Sequence, residues 1–238
     1  HNGIPPMQTR AFPGFTPDAT RFFTELAVNN KRAWFEANKA RYETAVKAPM
    51  AALVDALAEE CARRGLPLTG DAKRGLFRIH RDVRFSKDKS PYKTHQGAYV
   101  PTEDGIGYYL QVSAEGLMVA GGWWAASGLQ VQRYRDSVAG PAGVLLEKAI
   151  ARSARAGLTL GGDVMKTKPR GIAEDHPRLE LLRHRSLTVE RHDGTPAWLG
   201  TARAFTEVRT AWRAMTPLVE WLIDHVGPED DGIPPEPR

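Results

Sequence analysis

Apolar positions along this chain change period more than once. In the first quarter they recur every three or four residues, the mark of amphipathic helices. Thr16-Pro17-Asp18 is a helix start: Thr16 can cap, Pro17 suits the first helical position and Asp18 complements the dipole. Phe22, Phe23 and Leu26 then give a face to bury. A second helix is expected from Asn30, with Phe35, Tyr42 and Val46 on one stripe, and Pro49 should start a further helix or kink this one. Met50, Leu53, Val54, Leu57 and Cys61 continue the helical spacing, and Gly65 is the expected stop.

The period then falls to two. From Phe77 to Phe85 the odd positions are mostly apolar, while Arg78, His80, Asp82 and Arg84 share the even face, so a strand is expected, at least through the first half. Ile106, Tyr108, Leu110 and Val112 alternate likewise, and a turn at Ala114-Glu115-Gly116 can return Leu117–Trp124 as an antiparallel partner. Helical spacing resumes at 129–138 and 142–156, Pro169-Arg170-Gly171 is irregular, and Leu187–Glu190 is one more candidate strand. Phe205, Val208, Trp212, Met215, Val219 and Leu222 mark a last helix, which Pro217 should kink or restart with Thr216 as cap. The expected fold is α+β, a central antiparallel or mixed sheet flanked by helices. One domain is expected over residues 14–226, after a flexible segment at 1–13 in which Met7 is a candidate natural start, and before a mobile, acidic, proline-rich tail at 227–238.

Composition narrows the class. Hydrophobic residues make up 42% of the 238 and charged residues 26%, ordinary globular values that exclude wholesale disorder. No apolar run reaches the ~18–20 residues of a membrane span, and no signal-peptide core is visible. The one cysteine, Cys61, excludes an internal disulfide and sits on an apolar helix face, as a buried thiol would. A cytoplasmic protein with no membrane partner is expected. The net charge of +5 is modest, but six cations and two acids fall within residues 78–93, so nearly all the excess is local.

That segment is where chemistry is expected. Arg78, Arg81 and Arg84, three residues apart, with Lys89 and Lys93 following, suit a phosphate or carboxylate, because guanidinium forks bind such groups bidentately. Asp82 and His80 are the candidate catalytic pair, Asp82 as a base or an orienting group and His80 as a proton exchanger near neutral pH. Tyr92, reached through the extended Ser90-Pro91, is a wall or a donor. Against this stands a structural reading in which Arg81, Asp82 and Asp88 form ion pairs that rivet the segment to its surroundings.

The run Arg78-Ile79-His80-Arg81-Asp82-Val83-Arg84-Phe85-Ser86-Lys87-Asp88-Lys89-Ser90-Pro91-Tyr92 resembles the RxxRDxRFxxDKxxY signature of domain of unknown function 2461, a mainly bacterial family. Asn29-Asn30 with Trp34-Phe35, Tyr108-Tyr109-Leu110, Gly121-Gly122-Trp123 and the stretch from Lys168 to Pro177 resemble further segments of it, over roughly residues 14 to 225. The resemblance implies no activity.

Other signals weigh less. His80-Arg81-Asp82 spells a kinase triplet, but Lys87 stands where such a site needs asparagine. His80, Asp82, His95, Asp175 and His176 lack zinc spacing and lie near positive charge, so no metal is expected; no particular cofactor is indicated. Gly121-Gly122-Trp123-Trp124 can be a close backbone approach beside a stacking platform for a base or sugar, or a pair of tryptophans divided between core and rim. Lys168, Arg170 and His176 are a candidate second basic edge, and His184 and His192 are expected at the surface. Three functions compete: a site for a phosphorylated or other anionic small molecule, nucleic-acid binding through the basic segment with Phe85, Tyr92, Trp123 and Tyr109, and a non-catalytic interaction protein.

Overall fold

The computed structural model describes residues 12–63, 75–103, 105–124 and 127–229. Gly65 and nearly all of both termini lie outside them. Helices α1 (Pro17–Val28) and α2 (Arg32–Tyr42) come first, and α2 passes through one π-helical turn, Glu43–Lys47, into α3 (Ala48–Arg63). Pro17 opens α1 as expected, but the Thr16 side chain makes no capping bond. The π turn resolves the problem posed by Pro49, which lacks an N–H and crowds the carbonyl four residues back. The widened turn lets the Ala48 N–H reach the Glu43 carbonyl, and the chain stays helical.

The antiparallel sheet has order β1-β2-β3-β5-β4, with β1 at His95–Glu103, β2 at Ile106–Ser113, β3 at Gly116–Trp123, β4 at Thr159–Gly161 and β5 at Leu187–Gly194. Leu160 of β4 lies opposite Val189 of β5. The hairpin between β2 and β3 turns at Ala114-Glu115 as the sequence indicates. β1 and β4 are additions to the expected strands. Residues 77–85, by contrast, form no strand. Leu76 and His80 make only isolated bridges, to Ala98 and Tyr92, and the Arg81 and Lys93 amides donate to the Pro91 and Ile79 carbonyls, each at 2.8 Å. Beyond Arg81, carboxylates replace the ladder. Asp82 accepts from the Arg84 amide at 3.2 Å and Asp88 from the Ser90 amide at 2.9 Å, local turns that compete with sheet pairing.

Helices α4 (Gly128–Ala139), α5 (Ala142–Arg155), a single turn α6 (Leu179–Leu182) and α7 (Arg203–His225) complete the α+β fold. α7 runs through Pro217 rather than restarting there. Thr216 is not a cap, since its hydroxyl bonds the Trp212 carbonyl at 2.9 Å inside the helix. Among the described residues no helix is long and apolar enough to cross a membrane.

The chain divides into two compact units, the first holding residues up to Ala98 with Gln111–Leu117 and Gly194–Glu207, the second holding the rest. In the first, the buried Phe22 ring is ringed by Phe23 at 5.4 Å, Trp34 at 5.5 Å, Tyr42 at 5.7 Å and Phe35 at 6.3 Å between centroids. Arg41 bridges Asp18 at 2.7 Å and Glu25 at 2.6 Å, and its hydrogen bonds hold both carboxyls below their ordinary range. In the second, Tyr108 stacks on Trp212 at 4.8 Å, and Trp123 packs against Tyr134 at 5.5 Å. Gly121 lies under Met215 and Gly122, at φ 145°, faces the Leu187 carbonyl, so the paired glycines admit a helix and a neighbouring strand.

Gly116 begins β3 at φ 102°, with the Gly194 carbonyl where a Cβ would stand. Gly116→Ala is expected to cost about 1–3 kcal/mol, read as a lower urea midpoint at unchanged slope. An unchanged midpoint contradicts that packing.

Candidate functional site

The basic segment is held at its ends, and Tyr92 is the fixed point. Its ring is 2% exposed and stacks on Phe35 with centroids 4.1 Å apart and planes 18° from parallel. Asn30, just ahead of α2, brackets its backbone: the side-chain amide donates to the Tyr92 carbonyl at 2.9 Å, and its oxygen accepts from the Tyr92 N–H at 3.1 Å. Burial pushes the Tyr92 hydroxyl's pKa up, so the residue serves as a wall rather than an acid. Gln96 of β1, also buried, holds the other end. It accepts from the Tyr42 hydroxyl at 2.6 Å and donates to the Phe77 and Gly97 carbonyls at 2.8 and 2.9 Å.

Between these anchors the candidate residues separate. Arg78 and His80 are exposed and line a cleft of about 640 Å³ in the first unit, walled by Phe35, Tyr42 and Phe77. Arg81, half-buried, pairs with Asp88, reaches the Ser86 hydroxyl at 3.4 Å and borders a smaller hollow of about 260 Å³ with Tyr92 and Lys93. Asp82 and Arg84 grip each other through contacts of 2.6–3.2 Å on an exposed loop, in neither cavity. Lys89 donates to the Val83 carbonyl at 2.9 Å. The Lys93 ammonium lies 5.4 Å from the Phe77 ring centroid, and burial first, then Arg78, lowers its pKa. The even-numbered face is thus exposed but does not converge. The expected apolar face breaks up as well: Ile79 is buried, whereas Phe85 is 97% exposed.

The loop's acids are committed. Hydrogen bonds from the Ser90 hydroxyl and amide, then from Arg81, hold Asp88 far below the usual carboxylate range. The Arg84 guanidinium lowers Asp82, which leaves it a weak base at neutral pH.

Lys39, not among the residues expected from the sequence, also lines the 640 Å³ cleft. The signal was present, because Phe35, Lys39, Glu43 and Lys47 recur at four-residue intervals along α2 and the π turn, a single helix stripe. Lys47 pairs with Glu43 at 3.0 Å, while Lys39 and Arg78 make no ion pair among the described residues. His80 sits beside them, its ring 5.2 Å from Tyr92 and 6.3 Å from Phe35. Glu43 and Asp55 are the acids of the lining, so its permanent charge is positive by one.

The remaining candidates fall elsewhere. Trp123 is fully buried and Trp124 is 39% exposed, so the tryptophans divide between core and rim, and Trp123 offers no stacking face. Lys168 lies 3.8 Å from Glu174, and the His176 Nδ1 accepts the Arg178 amide at 3.0 Å. His184, expected at the surface, is 6% exposed, with its Nδ1 3.0 Å from the Ser186 carbonyl oxygen. His192 is exposed and Cys61 buried, as expected. Among the described residues no three His, Cys, Asp or Glu side chains gather as metal ligands would.

A family model described as Conserved hypothetical protein (DUF2461) matches residues 18–221. The chain belongs to this family. A crystal structure of an uncharacterized protein from Methanothermobacter thermautotrophicus aligns over 71% of this chain and 99% of its own, at 13% identity and a TM-score of 0.35. No curated protein matches.

The pairing of Arg81 with Asp88 has a readable consequence. With Asp88's folded pKa depressed, whatever the pairing contributes is fully present above the unfolded value near ~4 and disappears as pH falls through the folded value. The Asp88 carboxyl carbon is therefore expected to titrate below the ordinary aspartate range by NMR, and Arg81→Gln with Ser90→Ala should raise its midpoint. An ordinary midpoint in the native sequence contradicts the pairing.

Proposed function

We propose that the first unit binds a small molecule with a carboxylate or phosphate on an apolar or aromatic body, in the cleft beside α2. Arg78 and Lys39 hold the anion, Phe35 and Phe77 face the body, and His80 is the group placed to exchange a proton. One observation carries this reading: Lys39 and Arg78 face an aromatic-walled cleft without an ion-pair partner among the described residues, while Arg81, Arg84 and Lys89 of the loop are taken up locally. A guanidinium and an ammonium beside apolar walls suit an anion carried on an apolar body. The volume of about 640 Å³ is in the range that encloses metabolite-sized ligands. A cytoplasmic setting is part of the proposal.

A second reading applies to the loop itself. Arg81 on Asp88, Arg84 on Asp82 and Lys89 on the Val83 carbonyl support a structural role for residues 81–90. The two readings divide the motif between them. Nucleic-acid binding has weaker support, because of the four rings it invokes Tyr92 and Trp123 are buried and Tyr109 is half-buried, which leaves Phe85, beside the Arg84 guanidinium at 6.0 Å, as the exposed one.

The test is calorimetric titration with benzoate, phenyl phosphate, succinate and a short oligonucleotide at low and moderate salt. An aromatic acid or phosphate is expected to bind, with Arg78→Ala and Lys39→Ala each weakening it roughly ten-fold or more, and Arg84→Ala leaving it within about two-fold. Loss with Arg84→Ala but not with Arg78→Ala overturns the proposal, as does binding of the oligonucleotide alone.

A further inference from the structure

The second unit holds a cleft of its own, of about 610 Å³, that the reading above does not use. Trp124 forms one wall. Its amide donates to the Gly105 carbonyl at 2.9 Å, and Tyr99 and Tyr109 pack against the indole at 5.6 and 6.4 Å, so the ring is held in place while 39% exposed. Arg135 lies on the lining, half-buried. Its Nη2 rests on the Met165 sulfur at 3.0 Å and its Nε reaches the Leu182 carbonyl at 3.4 Å, neither of which neutralises it. Among the described residues it makes no ion pair. Asp163 and Arg185 pair at 2.7 Å on the same lining and are fixed by their backbones: the Arg185 amide donates to the Asp163 carbonyl at 2.7 Å, and the Asp163 amide to the buried Ser186 hydroxyl at 2.8 Å.

These groups ask for three features in one ligand. A rigid indole face takes a flat ring by stacking. A guanidinium without a counter-charge, held by neutral partners, takes a phosphate. A carboxylate and a guanidinium set side by side present acceptors and donors together, as a ring diol requires. We propose that this cleft is a mononucleotide site, with the base on Trp124, the phosphate at Arg135 and the ribose hydroxyls at Asp163 and Arg185. The proposal uses none of the residues assigned to the cleft beside α2, so either stands without the other.

Titration of the full chain with AMP, GMP, CMP and UMP, followed by calorimetry and tryptophan fluorescence, tests it. At least one nucleotide is expected to bind and quench, with its nucleoside and ribose 5-phosphate each roughly ten-fold weaker or worse. Trp124→Leu and Arg135→Met should each cost a similar factor, Trp124→Phe should retain binding, and Arg84→Ala should leave it unchanged. Circular dichroism establishes that each variant is folded, and Arg135→Met alone decides the matter if Trp124→Leu is not. Failure of all four nucleotides at millimolar concentration overturns the proposal. So does ribose 5-phosphate binding as tightly as the nucleotide, or binding that Arg78→Ala removes and Arg135→Met does not.

Discussion

The buried stack of Tyr92 on Phe35, with Asn30 hydrogen-bonded to both sides of the Tyr92 backbone, is the contact on which the first unit's cleft depends. It joins the far end of the basic segment to α2, and Gln96 joins the near end through Tyr42 and Phe77. Magnitudes show which kind of interaction governs. A buried aromatic pair adds ~0.5–1.5 kcal/mol beyond its area, and a buried hydrogen-bonding group left unpaired costs ~1–3 kcal/mol. Exposed ion pairs such as Arg84 with Asp82 contribute less, because water and salt screen them. The segment is held by its neutral anchors, and the charges decorate what the anchors position.

From this follows a division within the motif. The residues nearest the anchors, Arg78 and His80, are carried onto the wall of a cleft whose floor is the α2 stripe. Farther from the anchors, Asp82 pairs with Arg84, Asp88 with Arg81 and Ser90, and Lys89 with the Val83 carbonyl, all within the loop. A run of letters that looks like one site in sequence is two things in space: a self-paired loop and one edge of a binding surface whose other edge, Lys39, comes from a helix some forty residues earlier.

The helices were legible because their apolar faces repeat cleanly, as in Met50, Leu53, Val54, Leu57 and Cys61. So was the β2–β3 hairpin, whose alternation and glycine both survive in the structure. β1 was not. It carries Pro101 and the buried polar residues Gln96 and Thr102, a composition that alternation cannot flag, and a proline is tolerated there because the strand is at the sheet edge. The false strand at Phe77–Phe85 had the right period but the wrong chemistry, since Asp82 takes the Arg84 amide into a local turn instead of a ladder. Pro217 misled in the opposite direction, because a helix packed over its length keeps its path through one lost bond. For the site, Arg78, His80 and Tyr92 were legible as residue types. Ion pairing of Arg81, Asp82 and Asp88 was one of the two alternatives the sequence offered; the choice between them was not legible, because pairing at two and seven residues' separation depends on the turn that the loop adopts.

The motif's arginines differ in availability. Arginine-selective modification with phenylglyoxal, followed residue by residue by peptide mass spectrometry at neutral pH, tests this on the intact chain. Arg78, exposed and without an ion pair among the described residues, is predicted to react well before Arg81, which is half-buried against Asp88. Benzoate or phenyl phosphate should slow the reaction at Arg78 and leave Arg81 unaffected. Arg81 reacting first, or ligand protection falling on Arg81 rather than Arg78, would contradict the account.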